Sequence, residues 1–371
     1  MTVEQIAGAG LMVLFLADIF LTILYARAGT GLLTPRWNRL IWALVSGVAG
    51  ILGRRRPVAL SFAGPVIVVA LVGFWALGLT VGAALIIRPE LGTGIRPSSG
   101  GTPTDFVTAL LVAGNSLSIV GSGDYSPHTS ATRILFLLNS LIGASVLSLV
   151  LSYLVQVYSA LRERNSLALT VDLMTGGTGD AAEMLARLGP GGNFSNAASE
   201  LGNLARSLAM TKEAHHFYPL LFYFRFREPL YSVSRFSFIL LDLTTLIDTT
   251  LDCPKHVALV RSAPVEALRG CARLLLATLD KNFPTVNERH LNGAGAGNYK
   301  RSYVAALEVL RSADISTQPD ADRYAKQRGQ WEPLVRRVGP MLGYGIDEID
   351  CRRPANEAAI SPTVGTQIVD G

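Results

Sequence analysis

The chain has 371 residues, of which 49% are hydrophobic and 16% are charged, and its net charge is +5 at pH 7. This length allows two or three domains, and the modest charge argues against a nucleic-acid-binding protein. The three cysteines have no repeated spacing, which indicates no disulfide framework and fits a reducing compartment.

Charged residues are unevenly distributed along the chain. Residues 1–161 carry few of them, and all five lysines lie after residue 200. Together with a positive mean hydropathy, this asymmetry predicts an all-α membrane protein whose second half is a soluble, mainly helical domain.

The first apolar run, Ile6–Tyr25, contains a single charged side chain, Asp18, and we interpret it as a transmembrane helix. A carboxylate in hydrocarbon normally faces a partner or the interior of a helix bundle. Asp18 is therefore either a group on an ion pathway or a hydrogen-bonded contact to a neighbouring helix, and the second interpretation is favoured.

Arginines near the ends of the apolar runs predict the topology. Residues 27–56 carry six arginines, and Arg162 and Arg164 follow the last run; the positive-inside rule places both groups in the cytoplasm and the N-terminus outside. Residues 40–53 are apolar but short. We expect them to lie at the cytoplasmic interface, although a fourth span is left open.

Two longer apolar runs follow, Val58–Ile87 and Ile134–Leu161, and neither contains a charged residue. Each is long enough to cross a hydrocarbon core of about 30 Å, and Pro65 predicts a kink in the first. Between them lie a short apolar segment, Phe106–Leu117, and a loop, Ser118–Pro127, that reads S-I-V-G-S-G-D-Y-S-P. Non-helical backbone is tolerated at membrane depth only where it is buried in protein or lines water.

The loop has the features needed to bind a dehydrated cation. Backbone carbonyls can replace the water around an ion, and turning successive carbonyls to one axis requires positive φ angles, which Gly121 and Gly123 adopt without steric cost. Asp124 would add negative potential, and the C-terminal dipole of a helix ending near Leu117 also favours cations.

Residues Val120–Asp124, V-G-S-G-D, resemble the V-G-Y-G-D motif of the potassium channel superfamily in its bacterial two-helix form, and the resemblance covers residues 58–161. It implies a homotetramer in the cell membrane, a re-entrant pore helix, passive flow of monovalent cations and a gate at the inner helix bundle. Permeant potassium is the implied ion, and no cofactor is implied. The implied filter residues are Ser118, Ile119, Val120, Gly121, Ser122, Gly123 and Asp124.

Two filter residues depart from the family pattern. Ile119 replaces a threonine whose hydroxyl contributes to the innermost ion site in the family, and Ser122 replaces the filter tyrosine. These departures leave open a weakly selective cation channel, or a non-conducting membrane scaffold or sensor with the pore fold.

Gly143 stands where related channels often carry a gating hinge. The alternative is that Gly143 allows close packing against the pore helix, as small residues do in membranes. The sequence does not decide between these two roles.

The second half is predicted as helices broken by glycine and proline. The aromatic stretch Phe217–Phe226 is expected to be core, and a membrane-facing or subunit contact is left open. His215 and His216 beside it are expected to be exposed at a helix end, with a role in sensing pH as the alternative. Residues 177–182 resemble G-x-G-x-x-A after a strand, but further β-α repeats do not follow, so a dinucleotide site is not favoured.

No catalytic constellation is apparent, so we expect no enzyme. The ligand of this domain is not indicated.

The predicted domains are therefore an N-terminal helix with an interfacial helix (1–57), a two-helix pore domain (58–164), a helical cytoplasmic domain (165–352) and a disordered tail (353–371).

Overall fold

The computed structural model describes residues 2–25, 31–118, 124–251, 253–282 and 296–352. The predicted tail, 353–371, lies outside these described residues. The helices are α1 (Val3–Ile19), α2 (Thr34–Ile51), α3 (Arg56–Ser61), α4 (Ala63–Ile87), α5 (Phe106–Leu117), α6 (Ser130–Met174), α7 (Ala181–Leu188), α8 (Ala197–Phe217), α9 (Val233–Thr250), α10 (Cys253–Val260), α11 (Ala263–Asn282), α12 (Ala296–Ser312), α13 (Ala321–Met341) and α14 (Ile346–Ile349).

The remaining regular elements are short. A π-helical turn continues α1 over Phe20–Leu24, and two strands, β1 (Ile95–Pro97) and β2 (Tyr125–Pro127), pair antiparallel. The 3₁₀ turns cover Gly53–Arg55, Arg88–Glu90, Pro190–Gly192, Pro219–Tyr223 and Pro229–Tyr231. The described residues are therefore mostly helical, as the sequence predicted.

Within the described residues, three helices are long and apolar enough to cross a membrane. They are Val3–Leu24, Ala63–Glu90 and Ser130–Met174. Helix α2 is not among them, so the candidate spans agree with the preference for three over four.

The start of α4 differs from the prediction. The apolar run begins at Val58, but the chain forms α3 first and α4 begins at Ala63, which places Pro65 in the first turn of α4. Proline is tolerated there because the first N–H groups of a helix have no acceptor within it. Pro65 therefore helps to begin α4 and does not kink its interior.

The chain divides into two compact units. The first contains residues 1–160 and 216–224, and the second contains residues 161–215 and 225–371. The division falls within α6, because this helix extends past the uncharged run to Met174. Arg162 and Arg164 end the apolar pattern, but arginine is a good helix former and the helix continues through both.

In the first unit, α1 packs along α4 through small residues. A Cβ added to Gly78 would collide with the ring of Phe15, and that ring is buried in a cluster with Trp75 and Leu79. Without a hydrophobic driving force between helices in lipid, close van der Waals contact at glycines is what holds such helices together.

Most of the aromatic stretch is buried, but its residues 217–224 lie in the first unit, whereas the sequence predicted them in the second half of the chain. Residues 216–224 belong to the first unit, and we call them the aromatic strap. The ring of Phe224 lies against Gly64 at the start of α4 and 5.8 Å from the ring of Tyr158 in α6. Tyr223 packs against Trp42 of α2 at 5.6 Å. A segment predicted as domain core therefore joins three helices of the first unit.

In the second unit, α9 is the central helix and packs against α7, α11 and α13. Nearly all of its residues are buried. His215, in α8, is also buried, and its Nδ1 lies 2.8 Å from the Thr211 carbonyl oxygen. The expectation of an exposed histidine is therefore wrong at this position.

A buried cluster of charged side chains ties the last described residues to these helices. Arg352 contacts Asp180, the N-cap residue of α7, and lies 2.8 Å from a carboxylate oxygen of Asp242 in α9. Arg328 in α13 pairs with Asp350 at 2.5 Å. Burial disfavours ionisation of Asp180, but the adjacent Arg352 outweighs burial and lowers the pKa of that carboxyl.

The glycine-rich motif after residue 176 is a helix terminus. Residues 168–174, which a dinucleotide fold would require as a strand, form the end of α6. The Gly177 N–H donates to the Asp172 carbonyl oxygen (2.9 Å) and the Gly179 N–H to Thr175 Oγ1 (2.9 Å). These amides are therefore used within the turn and do not form a phosphate cradle.

Candidate pore site

Helix α5 begins at a well-formed cap. The Asp105 carboxylate accepts hydrogen bonds from the Thr108 N–H (3.0 Å) and the Thr108 hydroxyl (2.7 Å). These bonds satisfy one of the free N–H groups at the helix start, and they lower the pKa of the Asp105 carboxyl. The apolar segment expected between the two long runs, Phe106–Leu117, has the same bounds as the observed helix.

The sides of α5 are fixed by close packing on α4. Ala109, Val112 and Ala113 are buried in a cluster with Ala83 and Ala84 of α4. Because most of these side chains are methyl groups, the two helix backbones approach closely. This contact holds α5 inside the first unit as a short helix between two candidate spans.

The chain leaves the helical conformation at Ser118. Its N–H donates to the Gly114 carbonyl oxygen (2.9 Å), its hydroxyl donates to the Asn115 carbonyl oxygen (3.0 Å), and its backbone is extended, with φ −78° and ψ 154°. Ser118 is thus the residue at which the predicted filter begins. The next five predicted filter residues, 119–123, lie outside the described residues.

The far end of the loop is fixed by the two short strands. Asp124 is exposed, and its carbonyl oxygen accepts a hydrogen bond from the Ser98 N–H at 3.0 Å. The Gly94 carbonyl oxygen accepts from the His128 N–H (2.8 Å) and from the Thr132 hydroxyl (3.1 Å). Strands β1 and β2 could not be recognised in the sequence, because three residues are too few to show strand alternation.

Helix α6 packs against the last turn of α5. A Cβ added to Gly143 would collide with the carbonyl oxygen of Leu117, so the close-packing role considered for this glycine is present. One turn earlier in α6, the Asn139 side chain donates to Ser116 Oγ at 3.0 Å. Asn139 was not predicted as a site residue. The signal that could have identified it was an amide side chain inside a run without charged residues.

An apolar cavity of about 250 Å³ lies where α4, α5 and α6 meet. Trp75, Leu79, Leu117 and Val150 are among the side chains that line it, and Ser118 reaches it as well. The cavity therefore borders the residue at which the loop begins.

Asp18 lies in the buried contact between α1, α2 and α4. Its carboxylate accepts hydrogen bonds from the Leu33 N–H (2.7 Å), the Thr34 N–H (3.2 Å), the Thr34 hydroxyl (2.6 Å) and Trp75 Nε1 (2.9 Å). The carboxylate thus satisfies free N–H groups at the start of α2 and bonds to α4 as well. These are the hydrogen bonds expected of a contact between neighbouring helices.

Comparison with known proteins agrees with this architecture. Residues 66–160 match a family described as ion channel. The chain is also 24% identical, over 226 residues, to an uncharacterized membrane protein, YdjJ, of Bacillus subtilis strain 168. That match covers 59% of this chain and 62% of the relative, so the chain spans less than two thirds of the relative's length. No solved structure matches the chain.

The family match begins three residues into α4, contains α5 and the loop, and ends at residue 160 of α6. These are the elements on which the sequence resemblance depended. The match indicates an ion channel domain in this stretch of the chain. Residues 66–160 are therefore similar to an ion channel family over the stretch that contains most of α4, all of α5, the loop and the first part of α6.

Proposed function

We propose that the chain forms a homotetrameric cation channel of the cell membrane that conducts potassium passively through the backbone carbonyls of residues 118–123. The observation that carries the proposal is the loop's anchorage: α5 and β2 fix its two ends between two candidate spans, in a stretch that matches an ion channel family. The permeant ion is the one ligand that this mechanism requires.

Four copies are proposed because one loop cannot enclose an axis. The single chain also leaves much of α6 uncovered: Leu137, Leu141 and Leu151 are 60%, 56% and 56% exposed. In a tetramer these side chains would contact lipid or neighbouring copies, which suits the closed symmetry of most homo-oligomers.

The proposed mechanism has three parts. The carbonyls of the loop replace the ion's water, the C-terminal dipole of α5 and the exposed carboxylate of Asp124 favour cations, and the inner helices α6 splay apart to open the gate. In this arrangement the N-terminus is external and the second unit is cytoplasmic. Gly143 is kept as a proposed hinge in addition to its packing role.

A weakly selective channel is the second candidate. Ile119 offers no side-chain oxygen at the innermost ion site implied by the family, and Ser122 lacks the aromatic ring of the family's filter tyrosine. Both departures weaken the discrimination between potassium and sodium that the family motif implies.

Ion uptake into liposomes that contain the full chain tests the proposal. Rubidium uptake that exceeds sodium uptake and is blocked by barium supports the potassium channel, whereas equal uptake supports the weakly selective one. Gly121→Ala should abolish uptake, while Gly50→Ala should not, because a Cβ at Gly50 meets no atom within 4 Å. Absence of uptake from an intact tetramer would contradict both candidates and support a scaffold.

A further inference from the structure

Asn139 is a buried amide in the uncharged run of α6. Its side chain donates from Nδ2 to Ser116 Oγ at 3.0 Å, and the Ser116 hydroxyl donates in turn to the Ala113 carbonyl oxygen at 2.9 Å. Asn139 is 1% exposed and Ser116 is 5% exposed. The amide of α6 is therefore connected through one hydroxyl to the backbone of α5.

Burial makes this hydrogen bond specific. An amide without a partner in an apolar environment is costly, and in lipid no water can take the place of Ser116. The contact therefore favours one arrangement of α6 against α5.

The position of the contact connects it to the loop. Ser116 lies two residues before Ser118, where the backbone becomes extended. Asn139 and Gly143 are four residues apart, so they lie on the same face of α6, and Gly143 packs on the carbonyl of Leu117. One face of α6 therefore holds the last turn of α5 at two consecutive points.

We propose that Asn139 is a positioning residue for ion selectivity, which acts through Ser116 to set where the filter begins. This inference rests on the proposed function. Selectivity in such a filter depends on how its carbonyl dipoles surround the ion. A shift in the last turn of α5 would change that geometry and so change the preference between ions, whereas a contact that served stability alone would leave the preference unchanged.

The test compares four variants of the full chain in liposomes. Asn139→Leu removes the amide at similar volume, Ser116→Ala removes the acceptor, and the third variant carries both substitutions. Leu138→Ala is the control, because Leu138 neighbours Asn139 on α6 and is exposed. The readout is the ratio of rubidium to sodium uptake.

Each single substitution should lower the ratio by up to about threefold, the factor that corresponds to the loss of one interhelical hydrogen bond in a membrane protein. The double variant should lose no more than either single variant, because the two residues act as one unit. Leu138→Ala should keep the wild-type ratio. An unchanged ratio, or effects of the two substitutions that simply multiply, would overturn the proposal.

A second readout separates this inference from the proposed function. If the filter binds potassium, replacing sodium with potassium should raise the melting temperature of the wild-type protein in detergent. The variants should lose part of that rise.

If the wild type conducts and the variants match it in both readouts, the inference alone is overturned. Absence of both uptake and the potassium effect in the wild type overturns the proposed function as well. If Asn139→Leu fails to assemble, Ser116→Ala, which removes a single oxygen atom, decides the outcome.

Discussion

The carboxylate of Asp18 shows how one polar residue can organise several apolar helices. It accepts hydrogen bonds from the start of α2 and from Trp75 in α4. Because these donors are buried among apolar side chains, they have no alternative acceptor in lipid. The acidic residue Asp18 is therefore explained within a span by the backbone N–H groups at the start of α2, which donate hydrogen bonds to it.

We expect Asp18→Leu to destabilise the protein by roughly 2–4 kcal/mol, because it leaves several buried donors unsatisfied. Thermal unfolding of the full chain in detergent measures the effect. Thr34→Val, which removes the hydroxyl donor at similar volume, should cost about 1 kcal/mol in the same assay. An unchanged melting temperature for Asp18→Leu would show that these hydrogen bonds contribute nothing to stability.

Gly143 is the second residue whose environment gives a prediction. A methyl group at this position would collide with the carbonyl of Leu117, so Gly143→Ala should lower both the melting temperature and ion uptake. Gly73→Ala in α4 is the matched control, because a Cβ there meets no atom within 4 Å. If Gly143→Ala kept the wild-type melting temperature and changed gating alone, the hinge would be its main role.

Among the elements, the aromatic strap was the least predictable. Its side chains would suit the core of a soluble domain equally well, and no local pattern distinguishes that core from a contact with α2, α4 and α6. The end of α6 was missed for a related reason: Arg162 and Arg164 end an apolar run, but they do not end a helix. The strands β1 and β2 were too short to predict.

The pore elements could be predicted because their constraints are local. The bilayer sets the length of the spans, and the aspartate cap marks the start of α5 at Asp105. The glycine pattern predicts a loop after Ser118, and its residues 119–123 lie outside the described residues. The contact of Asn139 could not be predicted, and the packing of Gly143 was one of two open roles, because both contacts depend on which face of α6 meets α5.

Phe224→Ala tests the strap. The Phe224 side chain is buried against Gly64 and Tyr158, and truncation of a buried phenylalanine costs about 3–5 kcal/mol. We expect a lower melting temperature and faster proteolysis of residues 216–224. Phe217→Ala, at a half-exposed position of the same strap, should have little effect. Equal behaviour of the two variants would argue against the strap as a packed element.

At the scale of the whole molecule, burial of His215 makes stability depend on pH. Burial, together with the nearby cation of Arg164, lowers the pKa of His215 to about 3, below the value of about 6.5 expected in the unfolded chain. Between these values the unfolded state binds more protons than the native state, so stability falls as the pH decreases through this range. The depressed pKa of Asp180 acts in the same direction at lower pH.

We expect the protein to lose about 2 kcal/mol of stability from His215 between pH 7 and pH 5. The melting temperature of the full chain, measured across this range, gives the slope. His215→Gln should reduce the slope, whereas His128→Gln, at an exposed position, should leave it unchanged. A slope that is the same in all three proteins would contradict the account of His215.

The central claim is that four copies of the loop enclose one conduction pathway. Liposomes that contain tetramers assembled from equal amounts of wild-type chain and Gly121→Ala chain test it most directly. If one altered chain blocks the shared pathway, rubidium uptake should fall to about one sixteenth of the wild-type value, as random mixing in a four-fold assembly requires. Uptake of about one half would mean that each chain conducts alone, and undiminished uptake would mean that ions do not pass through the loop.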